Sequence, residues 1–461
     1  MLIDKLSYQA INLQKIDEMI VPISSIGRAC AKAEKPFVTG TELALKRKYQ
    51  IIQELMQSLQ KDYNFQEIAT GALKHLEQID QTILKAKSLH LLELYEIYEI
   101  KNFIYFSAII KELLDKEELS HIHQIPDFSE LFTYLDIDGQ KSPSFHLSKL
   151  YSSNYAKLKE IIADWKLKRN YELESIFEIA KQELEVDKLE DRIVVSRYNH
   201  QLNEKLQKSN HFSLESENFA NNSYKIRKSP KLLEIETELE AKEQELDLAE
   251  KAIRIEITKV ISVYCQDLTV AISEIGQFDL ALIKAIFGNK ISGVIPQINN
   301  EKKFTIKGSI NLPIQIELAK KNLKYQPIDI EVLKNINVLT GANMGGKTTV
   351  LKTLGQFIYM ASKAIPLPCK EANLPLFDFI FFSGIESSRM DLSSFGSEVV
   401  AVNEAMNKPG AGLFLLDEFA RGTNPLEGEA FSSAVLKSFI GKEAVVYSAT
   451  HFTQPAKLIE A

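Results

Sequence analysis

The sequence predicts an α + α/β protein: a helical core, a long helical lever with a small tip, and a C-terminal α/β domain. Three observations carry that expectation. Apolar residues recur at spacings of three and four through the first half of the chain. Leu232, Leu239, Leu246, Ile253 and Val260 repeat every seven residues within a charged stretch. After about residue 270, strand-like runs ("KFTIKGSI", "NINVLT", "LFLLDE", "AVVYSAT") alternate with helical sequence, the pattern of a parallel sheet flanked by helices.

The expected divisions are 1–150, 151–270 and 271–461. In the first, "TELALKRKYQIIQELMQSLQKD" opens on a Thr able to cap a helix, and "QTILKAKSLHLLELYEIYEIKNFIYFSAIIKELL" continues with aromatic residues suited to a helical core. The second begins with the charged helix "NYAKLKEIIADWKLKRNYELESIFEIAKQELE". A β-rich tip at about 190–230 follows, with "DRIVVSRYNH" and the Asn/Ser-rich "SENFANNSYKIRKSPK". The chain then returns through the heptad helix, where Ile235 and Ala249 lie three residues beyond members of the repeat. Two long antiparallel helices bearing a tip form either a lever or a plain hairpin.

Of 461 residues, 45% are hydrophobic and 25% charged, enough for two to four cores. Cys30, Cys265 and Cys369 are far apart and show neither zinc-site nor disulfide-framework spacing, which favours a reduced, cytoplasmic setting. The charged N-terminus lacks a signal peptide's apolar stretch, and no window is long and apolar enough to span a membrane. Net charge is −7; residues 1–270 hold 36 basic and 44 acidic side chains, the rest 19 and 18. An acidic front half argues against tight non-specific DNA binding.

The chemistry gathers in "LTGANMGGKTTVLKTLG", residues 339–355. Gly341, Ala342, Asn343, Met344, Gly345, Gly346, Lys347 and Thr348 fit GxxxxGK[ST], between an apolar strand and a helix. Glycines let successive N–H groups face phosphates, and the helix N-terminus adds partial positive charge. Lys347 would reach the β- and γ-phosphate oxygens of ATP, and the Thr348 hydroxyl would join a Mg²⁺ shell. In "GLFLLDEFARGTNP" four apolar residues run into Asp417 and Glu418. Asp417 would hold the metal through water, and Glu418 would orient or deprotonate the attacking water. His451 follows "AVVYSAT" and is a candidate γ-phosphate or water sensor.

With these residues in place, the chain resembles the MutS family of ATPases. "TGANMGGKTT", with Thr349 after the metal-binding threonine, is similar to that family's TGPNMGGKST. "LPLFDFIFFSGI" resembles the segment before the family's signature loop. "LSSFGSEV" resembles its STFxxE stretch, with Ser393 and Ser394 on the Ser-Thr pair and Glu398 on the Glu. "LLDEFARGTNPLEG" and "SATHF" resemble its DE-x-GRGT and THxx elements, and "SSIGRACAKAEKPFVTGTELALKRKYQIIQELM" the start of its helical core. The resemblance implies a helical core, a lever with a clamp-like tip and a C-terminal P-loop (ABC-like) ATPase domain. It also implies a dimer, homomeric or with a related ATPase, in which Ser393 contacts the partner subunit's γ-phosphate. ATP binding would then close the dimer and move the levers.

Departures from the family pattern shape the expected partner. The chain starts directly at the core, so no domain presents a mismatch wedge; Phe65-Gln66-Glu67 and Phe128-Ser129-Glu130 match Phe-x-Glu by chance. "ARGTNPLEG" stands where GRGTSTxDG is usual, with Ala420 and Glu427 as substitutions, and the chain stops ten residues after His451. In the tip, Lys225, Arg227, Lys228 and Lys231 are either phosphate contacts or a solvated turn. The expectation is a mismatch-repair-related ATPase with weak, non-specific DNA contact and no mismatch recognition. The alternative is a protein-remodelling reactivase of a cobalamin-dependent lysine aminomutase, with a protein client.

Overall fold

The structure is a computed structural model that describes every residue except 1, 186–191, 343–344, 384–393, 421–423, 453 and 457–461. The chain forms two compact units that do not follow chain order. One comprises Ile79–Tyr105 and Phe128–Gln266; the other comprises Met1–Gln78, Phe106–Asp127 and Asp267–Ala461.

In the smaller unit, the helices Ser153–Leu184 and Pro230–Val263 pack along one another. Each begins with a serine cap: Ser152 Oγ accepts from Tyr155 N, and Ser229 Oγ accepts from Leu232 N ahead of a proline in the first turn. Leu232, Ile235 and Leu239 are buried as the heptad predicts, but Leu246 and Val260 are only half-buried. Further along, the buried stripe becomes Ile253, Ile257 and Ile261, spaced by four. A straight helix has 3.6 residues per turn, so a seven-residue stripe drifts round its surface and the contact face moves with it.

The tip is a sheet of β1 (Arg192–Ser196), β2 (Phe212–Glu217) and β3 (Asn221–Ile226), antiparallel in the order β1-β3-β2. Val195, Leu206, Phe212, Tyr224 and Ile226 form its core with Ile176, Ala180 and Leu232 of the long helices.

The larger unit holds two sheets. The mixed sheet contains β4 (Gln297–Ile298), β5 (Phe304–Ser309), β6 (Ile328–Val332) and β8 (Glu371–Leu374), ordered β4-β8-β5-β6. The parallel sheet contains β7 (Ile336–Thr340), β9 (Phe379–Ser383), β10 (Gly412–Asp417) and β11 (Ala444–Thr450), ordered β7-β11-β10-β9. Its β10 is buried on both faces, as a parallel strand between helical layers must be. Leu413 and Leu415 meet Leu351, Leu354 and Phe357 of the helix Lys347–Ser362; Phe414 and Leu416 meet Leu436 and Phe439. The helix seats closely because Gly355 has no side chain: a Cβ there would lie 2.9 Å from Ile11 and Leu415 carbons.

The first residues pack within this unit. Ile3 bridges Ile380 in parallel, and Ile380 N donates to Leu2 O at 2.7 Å. Tyr8 and Tyr359 both donate to Asp17 Oδ2, at 2.7 and 2.6 Å, and Gln356 Nε2 donates to Ile11 O. Phe65 and Phe128 are buried, so neither Phe-x-Glu match presents a ring to solvent. Among the described residues no helix is long and apolar enough to cross a membrane. All three cysteines are free thiols. The fold is a largely helical core with mixed and parallel sheets, of an NTPase-like kind.

Candidate active site

Strand register gathers the candidate residues. In the parallel sheet Thr340 pairs with Thr450, and Ala449 with Asp417, so β7, β10 and β11 end together. The loop 341–346 leaves β7 at that edge, Asp417 and Glu418 end β10, and His451 follows β11. Ligands of open α/β sheets bind at this carboxyl edge.

The loop is shaped by its glycines and closed by its lysine. Gly346 has φ +84°, a left-handed conformation that glycine adopts without steric cost, and it caps the helix that starts at Lys347. Gly345 N donates to Ala342 O at 3.2 Å, and a Cβ on Gly345 would lie 3.0 Å from that oxygen. Lys347 is buried, and its Nζ donates to Gly341 O at 2.7 Å and Ala342 O at 3.1 Å. The ammonium is thus held within the loop, while Gly341, Ala342, Gly345, Gly346 and Thr348 are exposed. Asn343 and Met344 lie outside the described residues, and Thr349 is half-buried in the first helical turn.

Thr348 Oγ1 donates to Asp417 Oδ1 at 3.0 Å, joining the start of the helix to the end of β10. Burial pushes the Asp417 carboxyl above its ordinary range and the Glu418 charge adds to this; the Thr348 hydrogen bond and the Lys352 and Lys347 charges pull it back. Lys352 was missed in the sequence, although it lies four residues beyond Thr348 and so on the same helix face.

Glu418 is half-buried, with its N–H donating to Ala449 O at 2.9 Å. Its φ is +47° and that of Ala420 is +69°, both rare for residues with a side chain. Between them Phe419 is buried and stacks on Phe431. Ala420 N donates to Glu398 Oε2 at 3.3 Å. Burial raises the Glu398 carboxyl, the Asp417 charge adds to this, and the Ala420 N–H lowers it. The motif "LSSFGSEV" gives Glu398 a place but no chemistry; its partner emerges only in three dimensions. His451 is exposed beside the Phe452 ring. Ser393 lies outside the described residues.

Among the described residues no three His, Cys, Asp or Glu side chains converge as a metal cluster. The Thr348 hydroxyl and Asp417 carboxylate are a hard-oxygen pair, the donor type that Mg²⁺ takes when substrate phosphates and water complete its shell. Of the basic cluster in the tip, Lys228 pairs with Glu236 at 2.5 Å and Lys231 with Glu172 at 2.6 Å, and nearby Arg192 pairs with Glu215 at 2.8 Å and Arg197 with Glu217 at 3.4 Å.

The sequence profile of MutS domain V matches residues 337–461, the segment that holds this edge. Among curated proteins, the chain is 32% identical to the endonuclease MutS2 of Caldicellulosiruptor saccharolyticus over 217 residues, 46% of this chain and 27% of that protein. It is 31% identical to the endonuclease MutS2 of Aquifex aeolicus over 226 residues, 48% of this chain and 28% of that one. Similarity to the endonuclease MutS2 of Thermotoga maritima is 24% over 474 residues, 98% of this chain and 58% of the relative. The chain therefore spans less than two thirds of these relatives, and its similarity to the MutS family is strongest over its C-terminal part, where residues 337–461 match domain V.

Proposed function

We propose that the chain binds and hydrolyses ATP at the edge formed by β7, β10 and β11, as a P-loop (ABC-like) ATPase. The observation that carries this is the Thr348–Asp417 hydrogen bond beside a glycine loop that encloses Lys347. Gly341 to Gly346 would cradle the phosphates through backbone N–H groups, with Lys347 exchanging its two carbonyl partners for phosphate oxygens. Thr348 and Asp417 would hold Mg²⁺, which when bound neutralises charge on the phosphates. Glu418 would orient the attacking water, and His451 would sense the γ-phosphate from the end of β11.

By family likeness the site is completed in a dimer, with Ser393 reaching the partner's nucleotide. We further propose that segments 1–150, 151–270 and 271–461 act as core, lever and ATPase, the helices Ser153–Leu184 and Pro230–Val263 being the lever. DNA is the proposed partner, bound weakly because several tip cations are already ion-paired, and with a salt dependence set by contacts to phosphates alone.

Two substitutions test the catalytic reading. Lys347→Ala should abolish both hydrolysis and tight nucleotide binding. Glu418→Ala should keep ATP bound and fail to hydrolyse it, since the phosphate ligands remain. Equal loss of ATP binding in both proteins would refute the assigned roles.

A further inference from the structure

We propose that Glu398 is a positioning residue for the proposed ATP hydrolysis: from the helix Ser394–Met406 it holds the Ala420 N–H and so fixes the loop that presents Glu418. This rests on the reading of Glu418 as the water-orienting group. Ala420 is completely buried, and its N–H therefore needs an acceptor within the protein. The Glu398 carboxylate supplies one at 3.3 Å.

The loop needs such a hold because its backbone is unfavourable. Glu418 and Ala420 both have positive φ, where Cβ crowds the following carbonyl. Left alone, the segment would relax towards ordinary φ values and turn the Glu418 side chain away from the strand edge. Beside the Glu418 N–H bond to Ala449 O, contacts at the next two residues oppose that relaxation. Phe419 is buried in the cluster of Phe414, Leu436 and Phe439, and Glu398 grips the next residue. The helix carrying Glu398 is itself fixed, with Val402 and Ala405 in that same cluster.

Placement gives the contact a further consequence. The helix begins at Ser394, the residue after Ser393 in the sequence. A partner's nucleotide that draws on this end of the helix would bear on Glu398 about one turn later, and through Ala420 on Glu418. Hydrolysis in a pocket would thus depend on what the Ser394–Met406 helix of the same chain touches.

The test compares the unmodified chain with Glu398→Ala, Glu398→Gln and the double variant Glu398→Ala with Ala420→Gly. The probes are Mg·ATP turnover by phosphate release, affinity for a fluorescent ATP analogue, and thermal unfolding. Glu398→Ala should lower kcat about tenfold or more while analogue affinity changes by less than about threefold. Glu398→Gln keeps an acceptor oxygen and should retain most of kcat. Glycine adopts positive φ freely, so Ala420→Gly should restore part of the turnover lost in Glu398→Ala. Unchanged turnover in Glu398→Ala overturns the proposal, as does loss of affinity in step with turnover, or a glutamine variant as impaired as alanine. If Lys347→Ala leaves turnover untouched, the site assignment itself fails, an outcome separable from any behaviour of Glu398.

Discussion

Thr348 and Asp417 are 69 positions apart, yet the threonine hydroxyl donates to the carboxylate at 3.0 Å. That single bond ties the first turn of the Lys347–Ser362 helix to the end of β10. It also matches one donor to a carboxylate that burial already pushes towards its neutral form.

Thr348→Val preserves the side chain's shape and removes the hydroxyl. Asp417 then loses a donor, and the proposed metal shell loses an oxygen. Turnover should fall about a hundredfold, roughly 2.7 kcal/mol of barrier, and half-saturation by Mg²⁺ should move to higher concentration. A titration of turnover against Mg²⁺ checks both. An unchanged Mg²⁺ midpoint would remove Thr348 from the metal site.

A second prediction concerns folding. Asp279 accepts from Ile23 N at 3.0 Å, Ser24 N at 2.7 Å and Ser24 Oγ at 2.6 Å, at the start of the Ser25–Ala33 helix. A Cβ on Gly27 would sit 2.1 Å from Asp279 Oδ2. Gly27→Ala must therefore displace the carboxylate and strand its donors, costing about 3 kcal/mol or more from orphaned hydrogen bonds and overpacking. Gly71→Ala is the control: its helix position has nothing within 4 Å of the new methyl. Alanine there should stabilise by up to about 1 kcal/mol. Urea midpoints of the two variants should move in opposite directions; a shared direction would contradict this account.

The third prediction is a pH dependence. His123 is buried edge-on to Phe278 and pairs with Glu274 at 3.1 Å, while its Nε2 is buried without a hydrogen bond among the described residues. Burial lowers its pKa below the ordinary 6.5, against the pull of Glu274. The folded state thus favours neutral imidazole, whereas the unfolded chain takes up a proton near pH 6.5. The stability it contributes is complete above that pH and declines as pH falls towards the lowered value. His123→Phe removes the titration, so the gap in melting temperature between the two proteins should vary between pH 8 and pH 5. Parallel melting curves across that range would show that His123 does not carry the linkage.

Much of the candidate site was legible because it is local. Glycine spacing, the lysine and the apolar run into two acids each declare a conformation within ten residues. The shared edge followed from strand polarity, since parallel strands deliver their C-terminal ends to one side. Ala420 and Glu398 were not legible as a pair. A left-handed alanine has no sequence signature, and the acceptor for a buried N–H is chosen by packing. Helix assignment at the front followed from three-and-four spacing, but that pattern names no partner. Nothing in "MLIDKLSYQA" announces pairing with β9, because a short bridge needs only backbone groups. The heptad marked a packed helix and misplaced its middle contacts, where drift carried the stripe from Leu246 towards Ile257.

The last prediction addresses the proposed shared pocket. If Ser393 completes a partner's site, Ser393→Ala should bind ATP almost normally as a monomer while losing ATP-dependent dimerisation and turnover. Lys347→Ala should lose turnover for a different reason, in its own loop. In a mixed dimer, one pocket combines the intact Lys347 of one chain with the intact Ser393 of the other, and the second pocket carries both defects. Mixing the two proteins should therefore restore part of a hydrolysis that neither shows alone. If "LSSFG" only packs on its own domain, the mixture yields the sum of two residual rates. The comparison is made at a protein concentration where the unmodified chain dimerises with ATP, as read by sedimentation. Dimers without rescue would reject the composite site, and rescue above the summed rates would establish that each pocket draws on two chains.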